Sequence, residues 1–148
     1  MRIFRVLCAL SLVVTLGACS CRTRAVGEGD NIGLAGGASP LKDVNFAFDS
    51  YALDATAKAN LKESADWLAK NSSAKTQVEG HCDERGTNEY NMVLGANRAR
   101  VAQEYLRSLG VAADRLGTVS YGEELPLDPA HTEAAWAKNR RAHFNVSK

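Results

Sequence analysis

A short polar run between a predicted strand and a predicted helix carries the side chains best suited to chemistry. The run occupies residues 81–86, and Thr87 then offers a good N-cap for a helix. On that helix, Asn91 and Arg98 are seven residues apart, so they share one face about 10 Å apart along the axis. Asp83 in the run and Arg98 on the helix can bind opposite charges of one small ligand. The spacing therefore predicts a groove for a zwitterion, without selecting one amino acid over another.

A glycine lies on the same helix face, between the amide and the base. Gly95 costs the helix roughly 1 kcal/mol relative to alanine. One reason to tolerate that cost is the close approach of a ligand or of another backbone. We therefore expect something to pack tightly against the helix at Gly95.

Structural and catalytic interpretations compete with the binding one. Arg98 could be a solvated helix residue, Asp83 a turn residue and His81 a cover for the outer sheet face, while Tyr90 is interpreted as core. A cysteine hydrolase or amidase fits poorly, because His81 and Cys82 are adjacent on a strand and face opposite ways. The sequence has no zinc-type CxxC or HExxH spacing. We therefore expect no enzyme, no metal and no cofactor.

The hydrophobic periodicity alternates between that of strands and that of helices. The order is β-α-β-α-β-α-β, which predicts an α+β fold: a two-layer sandwich with helices on one face of a four-stranded sheet. The predicted elements are a strand in which Val44, Phe46 and Phe48 form one buried face, a helix capped by Asp54, a strand from Lys75 to His81, a helix from Thr87 to about Leu109, a strand from Gly117 to Tyr121, a short helix near Thr132 to Asn139, and a last strand through Ala142, Phe144 and Val146.

Four ordered stretches resemble the motifs of a known family. The stretches are Gly80–Asn91, Leu94–Ala99, Val119–Pro126 and Lys138–Ala142, and Phe48-Asp49 matches the acidic end of the family's first strand. They resemble the peptidoglycan-associated lipoproteins, members of the OmpA C-terminal-domain (OmpA-like) family. The resemblance extends from about Asp43 to Val146, which is nearly the whole predicted domain.

The resemblance implies non-covalent binding of peptidoglycan through diaminopimelate of the stem peptide. Asp83 would take its ammonium and Arg98 a carboxylate. The other residues implied at the site are Phe48, Asp49, Asn91, Leu94 and His81, with Arg140 or Arg141 in support. Cys82 stands where many family members have alanine, and we expect it to point away from its neighbours and to affect binding little.

The same resemblance implies a partner and a setting. The family pairs with a TolB-like periplasmic propeller protein through the same groove region. As part of a Tol–Pal system, it maintains envelope integrity and outer-membrane constriction during cell division. A protein that binds only other proteins is the alternative to one that also binds the wall.

The first residues have the layout of a secretory signal. Arg2 and Arg5 precede an apolar run over residues 6–16, which is too short for the roughly 20 residues of a membrane span. The following Leu-Gly-Ala before Cys19 resembles the bacterial lipobox, whose cysteine is acylated and becomes the mature N-terminus. A plain signal peptide with a coincidental cysteine is the alternative. Ser20, in place of an inner-membrane retention aspartate, favours the outer membrane with the domain facing the periplasm.

These features divide the chain into a signal peptide at residues 1–18, a lipidated N-terminus and flexible Gly-rich tether at 19–40, and a binding domain at 41–148. Cys21 and Cys82 could form a disulfide, or Cys82 could remain a small buried thiol. The formal net charge is only +1, and Arg2 and Arg5 would leave with the signal. We therefore expect no nucleic-acid partner.

Overall fold

The computed structural model describes residues 39–147. The predicted signal peptide, the lipidation site Cys19 and nearly all of the predicted tether lie outside the described residues. The elements are β1 (Val44–Asn45), α1 (Ala55–Lys70), β2 (Lys75–His81), α2 (Asn88–Ser108), a short 3-10 turn (Ala113–Arg115), β3 (Leu116–Gly122), α3 (Glu133–Asn139) and β4 (Arg141–Ser147). Within residues 39–147, no helix has the length and apolar character that a membrane span requires.

The strands form one sheet in the order β1-β4-β2-β3. Strand β4 runs antiparallel to both β1 and β2, whereas β2 and β3 are parallel. A parallel pair needs a long crossover connection, and α2 supplies it between β2 and β3. The predicted element order and the two-layer α+β architecture are confirmed.

The core lies between the sheet and helices α1 and α2. Val78 of β2 pairs with Phe144 of β4, and both are fully buried. Leu61 and Leu68 of α1 and Leu106 of α2 are also fully buried in the same cluster. Because each such side chain contributes about 1.5–3 kcal/mol, these contacts fix the helical layer on the sheet.

Helix boundaries follow the predicted capping residues. Asp54 Oδ1 accepts a hydrogen bond from the Ala57 N–H at 2.7 Å, and Thr87 Oγ1 accepts one from the Tyr90 N–H at 3.2 Å. Gly110 follows α2 with a φ of +95°, which favours glycine. Local side-chain chemistry therefore sets where both long helices begin and where α2 ends.

The first strand is shorter than predicted. Val44 and Phe46 are buried, but Phe48 is 57% exposed, so the expected third member of the buried face is wrong. Strand β1 ends at Asn45, and Asp49 has a φ of +50°, in the left-handed region that redirects a chain. Phe48 consequently lies at the surface, in a loop rather than in the core.

Helix α2 and strand β2 approach each other through two glycines. A Cβ atom placed on Gly80 would lie 1.8 Å from the carbonyl oxygen of Gly95. The expected tight packing at Gly95 is therefore confirmed, and its partner is backbone. This contact brings the end of β2, just before Asp83, beside the face of α2 that carries Asn91 and Arg98.

Candidate binding site

A pocket of about 220 Å³ opens where the end of β2, the loop after β1 and helix α2 meet. Seven of the eight binding residues implied by the resemblance line it, and His81 does not. The complete lining is Phe48, Asp49, Cys82, Asp83, Arg85, Gly86, Tyr90, Asn91, Leu94, Arg98 and Arg140. Three arginines and two aspartates thus share one small space.

Arg98 forms the buried end of this pocket. It is 1% exposed, so the interpretation as a solvated helix residue is wrong. Its Nε donates to Ser50 O at 2.9 Å, Nη1 to His81 O at 2.8 Å and Nη2 to Ala47 O at 3.2 Å. Within residues 39–147, no carboxylate lies within 4.0 Å of its guanidinium. Burial lowers the pKa of Arg98, as expected for a cation without an anionic partner.

Asp83 forms the opposite end, and its carboxylate accepts three hydrogen bonds from protein groups. Oδ2 accepts hydrogen bonds from Arg85 Nη2 at 2.7 Å and from Arg140 Nη1 at 3.0 Å. Oδ1 accepts one from the backbone N–H of Arg85 at 3.2 Å. Burial alone would raise the pKa of Asp83, but the hydrogen bonds from Arg85 and Arg140 outweigh it and lower the pKa. Asp83 is therefore a charged carboxylate already paired with protein cations.

Asn91 holds the loop that carries Asp83. Its Nδ2 donates to Asp83 O and Arg85 O, both at 3.2 Å, and to Glu123 Oε2 at 2.5 Å. Since the amide nitrogen already bonds to these acceptors and the residue is 1% exposed, Asn91 positions the loop more than it offers a donor to the pocket.

The rim of the pocket is aromatic. Phe48 is 57% exposed and Tyr90 51%, so the interpretation of Tyr90 as core is wrong. The Tyr90 hydroxyl donates to the Asp49 carboxylate, and this hydrogen bond raises the pKa of Tyr90. The rim is thus apolar around a charged interior.

The structure does not bring the ring of His81 to the pocket. The ring is 5.5 Å from that of Tyr121, centroid to centroid, and neither ring nitrogen has a hydrogen-bond partner. Burial, with a smaller contribution from Arg141, lowers the pKa of His81 from 6.5 to about 3. Only its carbonyl oxygen contributes, by binding Arg98. Strand alternation explains the ring's position, because Val78 and Gly80 face the helices and His81 lies out of that register.

Of the two adjacent arginines, Arg140 lines the pocket and Arg141 does not. Arg140 binds Asp83, the Phe46 carbonyl oxygen at 3.1 Å and Glu133 at 3.0 Å. Arg141 instead lies 3.7 Å from Asp43. Arg140 is therefore the one of the two arginines in a position to support the site.

Cys82 lies closer to the site than expected. Its Sγ is 3.3 Å from Arg98 Nη1 and 3.3 Å from Asn91 O. These contacts are with helix α2 and not with the neighbouring side chains of His81 and Asp83, but the thiol does touch two residues that line the pocket. The thiol is buried and forms no disulfide within residues 39–147, and burial raises its pKa to about 11. Cys21, its suggested disulfide partner, lies outside the described residues.

The sequence did not single out Arg85 as a site residue. Its guanidinium carbon is 4.0 Å from the centre of the Phe48 ring and 4.4 Å from that of the Trp136 ring. Arg85 belongs to the same polar run as Asp83, so the sequence could have indicated that it lies near the site. Its contacts with Trp136 and Glu133 depend on where α3 packs, which no local pattern reveals.

Fold and site together define an α+β domain with a small, doubly charged pocket, and comparison with known proteins identifies the class. The OmpA family model matches residues 45–140. A peptidoglycan-associated lipoprotein of Rhizobium meliloti is 38% identical, over 93% of this chain and 84% of the relative. One of Haemophilus influenzae is 50% identical, over 67% and 65% respectively. The chain belongs to the OmpA family and, within it, to the peptidoglycan-associated lipoproteins.

Solved structures agree with this assignment. The peptidoglycan-associated lipoprotein from Burkholderia pseudomallei superposes with a TM-score of 0.69 at 39% identity, covering 72% of this chain and 90% of that one. The C-terminal domain of Helicobacter pylori MotB has the same fold, with a TM-score of 0.69 at 24% identity over 73% and 85%. The relatives are named for association with peptidoglycan and not for a reaction, and the prediction of a non-enzymatic protein is confirmed.

Proposed function

We propose that the pocket binds peptidoglycan non-covalently, by holding the zwitterionic end of a diaminopimelate side chain in the stem peptide. The observation that carries this proposal is Arg98, a buried cation that has no anionic partner among residues 39–147. A buried charge is costly unless it is paired. A ligand carboxylate supplies that pair and can use the remaining Nη2 hydrogen, because the Nε and Nη1 hydrogens are already donated.

The second charge of the ligand meets the other end of the pocket. Asp83 is the carboxylate available to an ammonium group, and its lowered pKa keeps it ionised at neutral pH. The pocket volume of about 220 Å³ is below the roughly 300–1,000 Å³ of sites for drug-sized ligands. It suits one amino-acid side chain, with the remainder of the wall polymer outside.

The setting of this binding site follows from the beginning of the chain and from the family. We infer that Cys19 is lipid-modified, that the lipid anchors the protein in the outer membrane, and that the domain faces the periplasm. The tether of about 20 residues would then reach up to about 70 Å. Such a protein links the outer membrane to the wall, and we propose that it does so within a Tol–Pal system that supports envelope integrity and outer-membrane constriction at division.

A protein partner is the second candidate for the same surface. Phe48 and Tyr90 are large aromatic side chains that line the pocket, and each is about half exposed. Tyr51, three residues after Phe48, is also about half exposed. Exposed aromatic clusters with a polar surround are typical of protein interfaces. We propose that a TolB-like propeller protein docks on this rim, which would place its binding in competition with the wall.

Co-sedimentation with two kinds of purified sacculi tests the wall-binding proposal. The full chain, purified in mild detergent, should sediment with diaminopimelate-type sacculi. Sedimentation with lysine-type sacculi should be much weaker, because a lysine stem has the ammonium but lacks the carboxylate for Arg98. Arg98→Met should weaken binding to the diaminopimelate wall by about 100-fold, the usual scale for losing one partner of a buried charge pair.

Arg115→Met is the matched control for Arg98→Met. Arg115 also donates to three backbone carbonyl oxygens, those of Leu68, Asn71 and Ala74, but it is not a lining residue of the pocket. It should retain wall binding at temperatures where the domain is folded. Equal binding of wild type and Arg98→Met, or equal sedimentation with both walls, would contradict the assignment of Arg98. Release of soluble muropeptides would indicate an enzyme.

A further inference from the structure

The ammonium end of the pocket already contains a protein cation. Arg85 Nη2 lies 2.7 Å from Asp83 Oδ2, and the backbone N–H of Arg85 occupies Oδ1. The Asp83 side chain is only 4% exposed. Because this carboxylate already accepts three hydrogen bonds and is almost wholly covered, a ligand ammonium reaches it most directly when one of the two protein cations moves aside.

Arg85 is far easier to move than Arg140, the other cation on Asp83. The Arg140 side chain is 9% exposed and also binds the Phe46 carbonyl oxygen and Glu133. The Arg85 side chain is 31% exposed, and its buried Nε has no hydrogen-bond partner in the part of the chain that the structure describes. Leaving Asp83 therefore breaks fewer contacts for Arg85 than it would for Arg140.

Arg85 also has other partners that can hold its side chain away from Asp83. Its Nη1 lies 3.3 Å from Glu133, whose side chain is 64% exposed, and its guanidinium lies over the ring of Trp136. Both neighbours belong to α3 and lie outside the lining of the pocket. A small rotation of the Arg85 side chain can keep the ion pair with Glu133 and the cation–π contact while it exposes Asp83.

We propose that Arg85 competes with the ligand for the ammonium subsite at Asp83. Arg85 pairs with Asp83 when the pocket is empty, and the ligand ammonium displaces it on binding. The proposal rests on the zwitterion-binding function above. Because one cation replaces another on Asp83, this end contributes little net affinity, and Arg85 determines how readily the attachment to the wall is reversed.

Calorimetric titration of the full chain with a soluble diaminopimelate-containing muropeptide tests the proposal. Arg85→Met removes the competing charge but keeps an apolar stem between Phe48 and Trp136. It should bind the muropeptide about fivefold more tightly than wild type, the scale of a partly exposed ion pair. Arg85→Lys keeps a cation and should bind with nearly wild-type affinity. A second probe, the same muropeptide with the diaminopimelate amine acetylated, should show no gain with Arg85→Met.

Arg100→Met is the matched control, because Arg100 is an exposed arginine that pairs with Glu104 at 2.9 Å and is not a lining residue of the pocket. Its affinity should equal that of wild type. If wild type binds and Arg85→Met binds equally or more weakly, Arg85 is a bystander or a direct ligand contact, and only the competitor proposal is overturned. An equal gain with the acetylated probe also overturns it. If neither wild type nor Arg85→Met binds the free-amine muropeptide, the zwitterion site and the competitor proposal are both overturned.

Discussion

The two ends of the pocket differ in how their buried charges are satisfied. Arg98 is 1% exposed and bonds to backbone carbonyl oxygens, with no carboxylate within 4.0 Å among residues 39–147. Asp83 is 3% exposed and already pairs with Arg85 and Arg140. The Arg98 end thus lacks an anion, whereas the Asp83 end has two cations for one carboxylate.

This difference indicates where binding energy comes from. Pairing a buried cation that lacks an anion relieves a desolvation cost that the folded protein already bears. When one cation replaces another on Asp83, one charged hydrogen bond is broken for each that forms. The net gain in binding free energy is therefore small. We therefore expect the Arg98 end to dominate affinity and the Asp83 end to control exchange.

The largest effect is expected from a change that separates the two ends. Gly80→Ala would place a Cβ atom 1.8 Å from the Gly95 carbonyl oxygen. Because both partners are backbone, β2 and α2 must move apart, at a cost of about 3 kcal/mol of unfolding free energy. Muropeptide binding should fall with it, since Asp83 follows β2 and Arg98 lies on α2. Chemical denaturation and calorimetry would measure the two effects.

Gly117→Ala is the control for this strand substitution. An added Cβ at Gly117 meets nothing within 4 Å, so stability should change by less than about 0.5 kcal/mol and binding should be unchanged. A Gly80→Ala protein with wild-type stability would show that the glycine contact does not position the two ends.

Asp83→Asn distinguishes the two ends directly. The substitution removes the negative charge with little change of shape, and Arg140 keeps Glu133 and the Phe46 carbonyl oxygen. We expect muropeptide affinity to fall by about tenfold, and unfolding free energy by about 1–2 kcal/mol. Both losses should be smaller than those of Arg98→Met, which also leaves the carbonyl oxygen of Ser50 without its donor. A larger affinity loss for Asp83→Asn than for Arg98→Met would invert the comparison.

The smallest effect is expected behind the pocket, at His81. Because burial lowers its pKa to about 3, the unfolded chain binds the proton first as the pH falls below 6.5. The stability associated with neutral His81 is therefore fully present above pH 6.5 and is lost as the pH falls towards 3, by up to about 1.4 kcal/mol per pH unit. His81→Phe should reduce this dependence in denaturation curves measured between pH 6.5 and 4.

His131→Phe is the control for this pH series, since the side chain of His131 is 80% exposed. It should retain the wild-type pH dependence. If His81→Phe and wild type lose stability in parallel, the ring of His81 is hydrated or paired in solution, and it does not contribute to acid sensitivity.

Much of this molecule was predictable from local sequence. Asp54 and Thr87 marked the starts of the two long helices, because a capping side chain acts over only a few residues. The spacing of Asp83 and Arg98 indicated a charged groove, the resemblance supplied its ligand, and the close packing at Gly95 followed from the cost of a glycine in a helix.

Only the tertiary structure decided whether each charged side chain is buried and whether it has a partner of opposite charge. Arg140 reaches Asp83 from 57 residues away, and Glu133 and Trp136 arrive with α3, so the competition at the ammonium end depends on elements that no local pattern connects. Burial and counter-charge are properties of contacts between distant segments. The sequence by itself determined that Asp83 and Arg98 supply opposite charges to one pocket. The fold determined that Asp83 already has two cationic partners, whereas Arg98 has no anionic partner within residues 39–147.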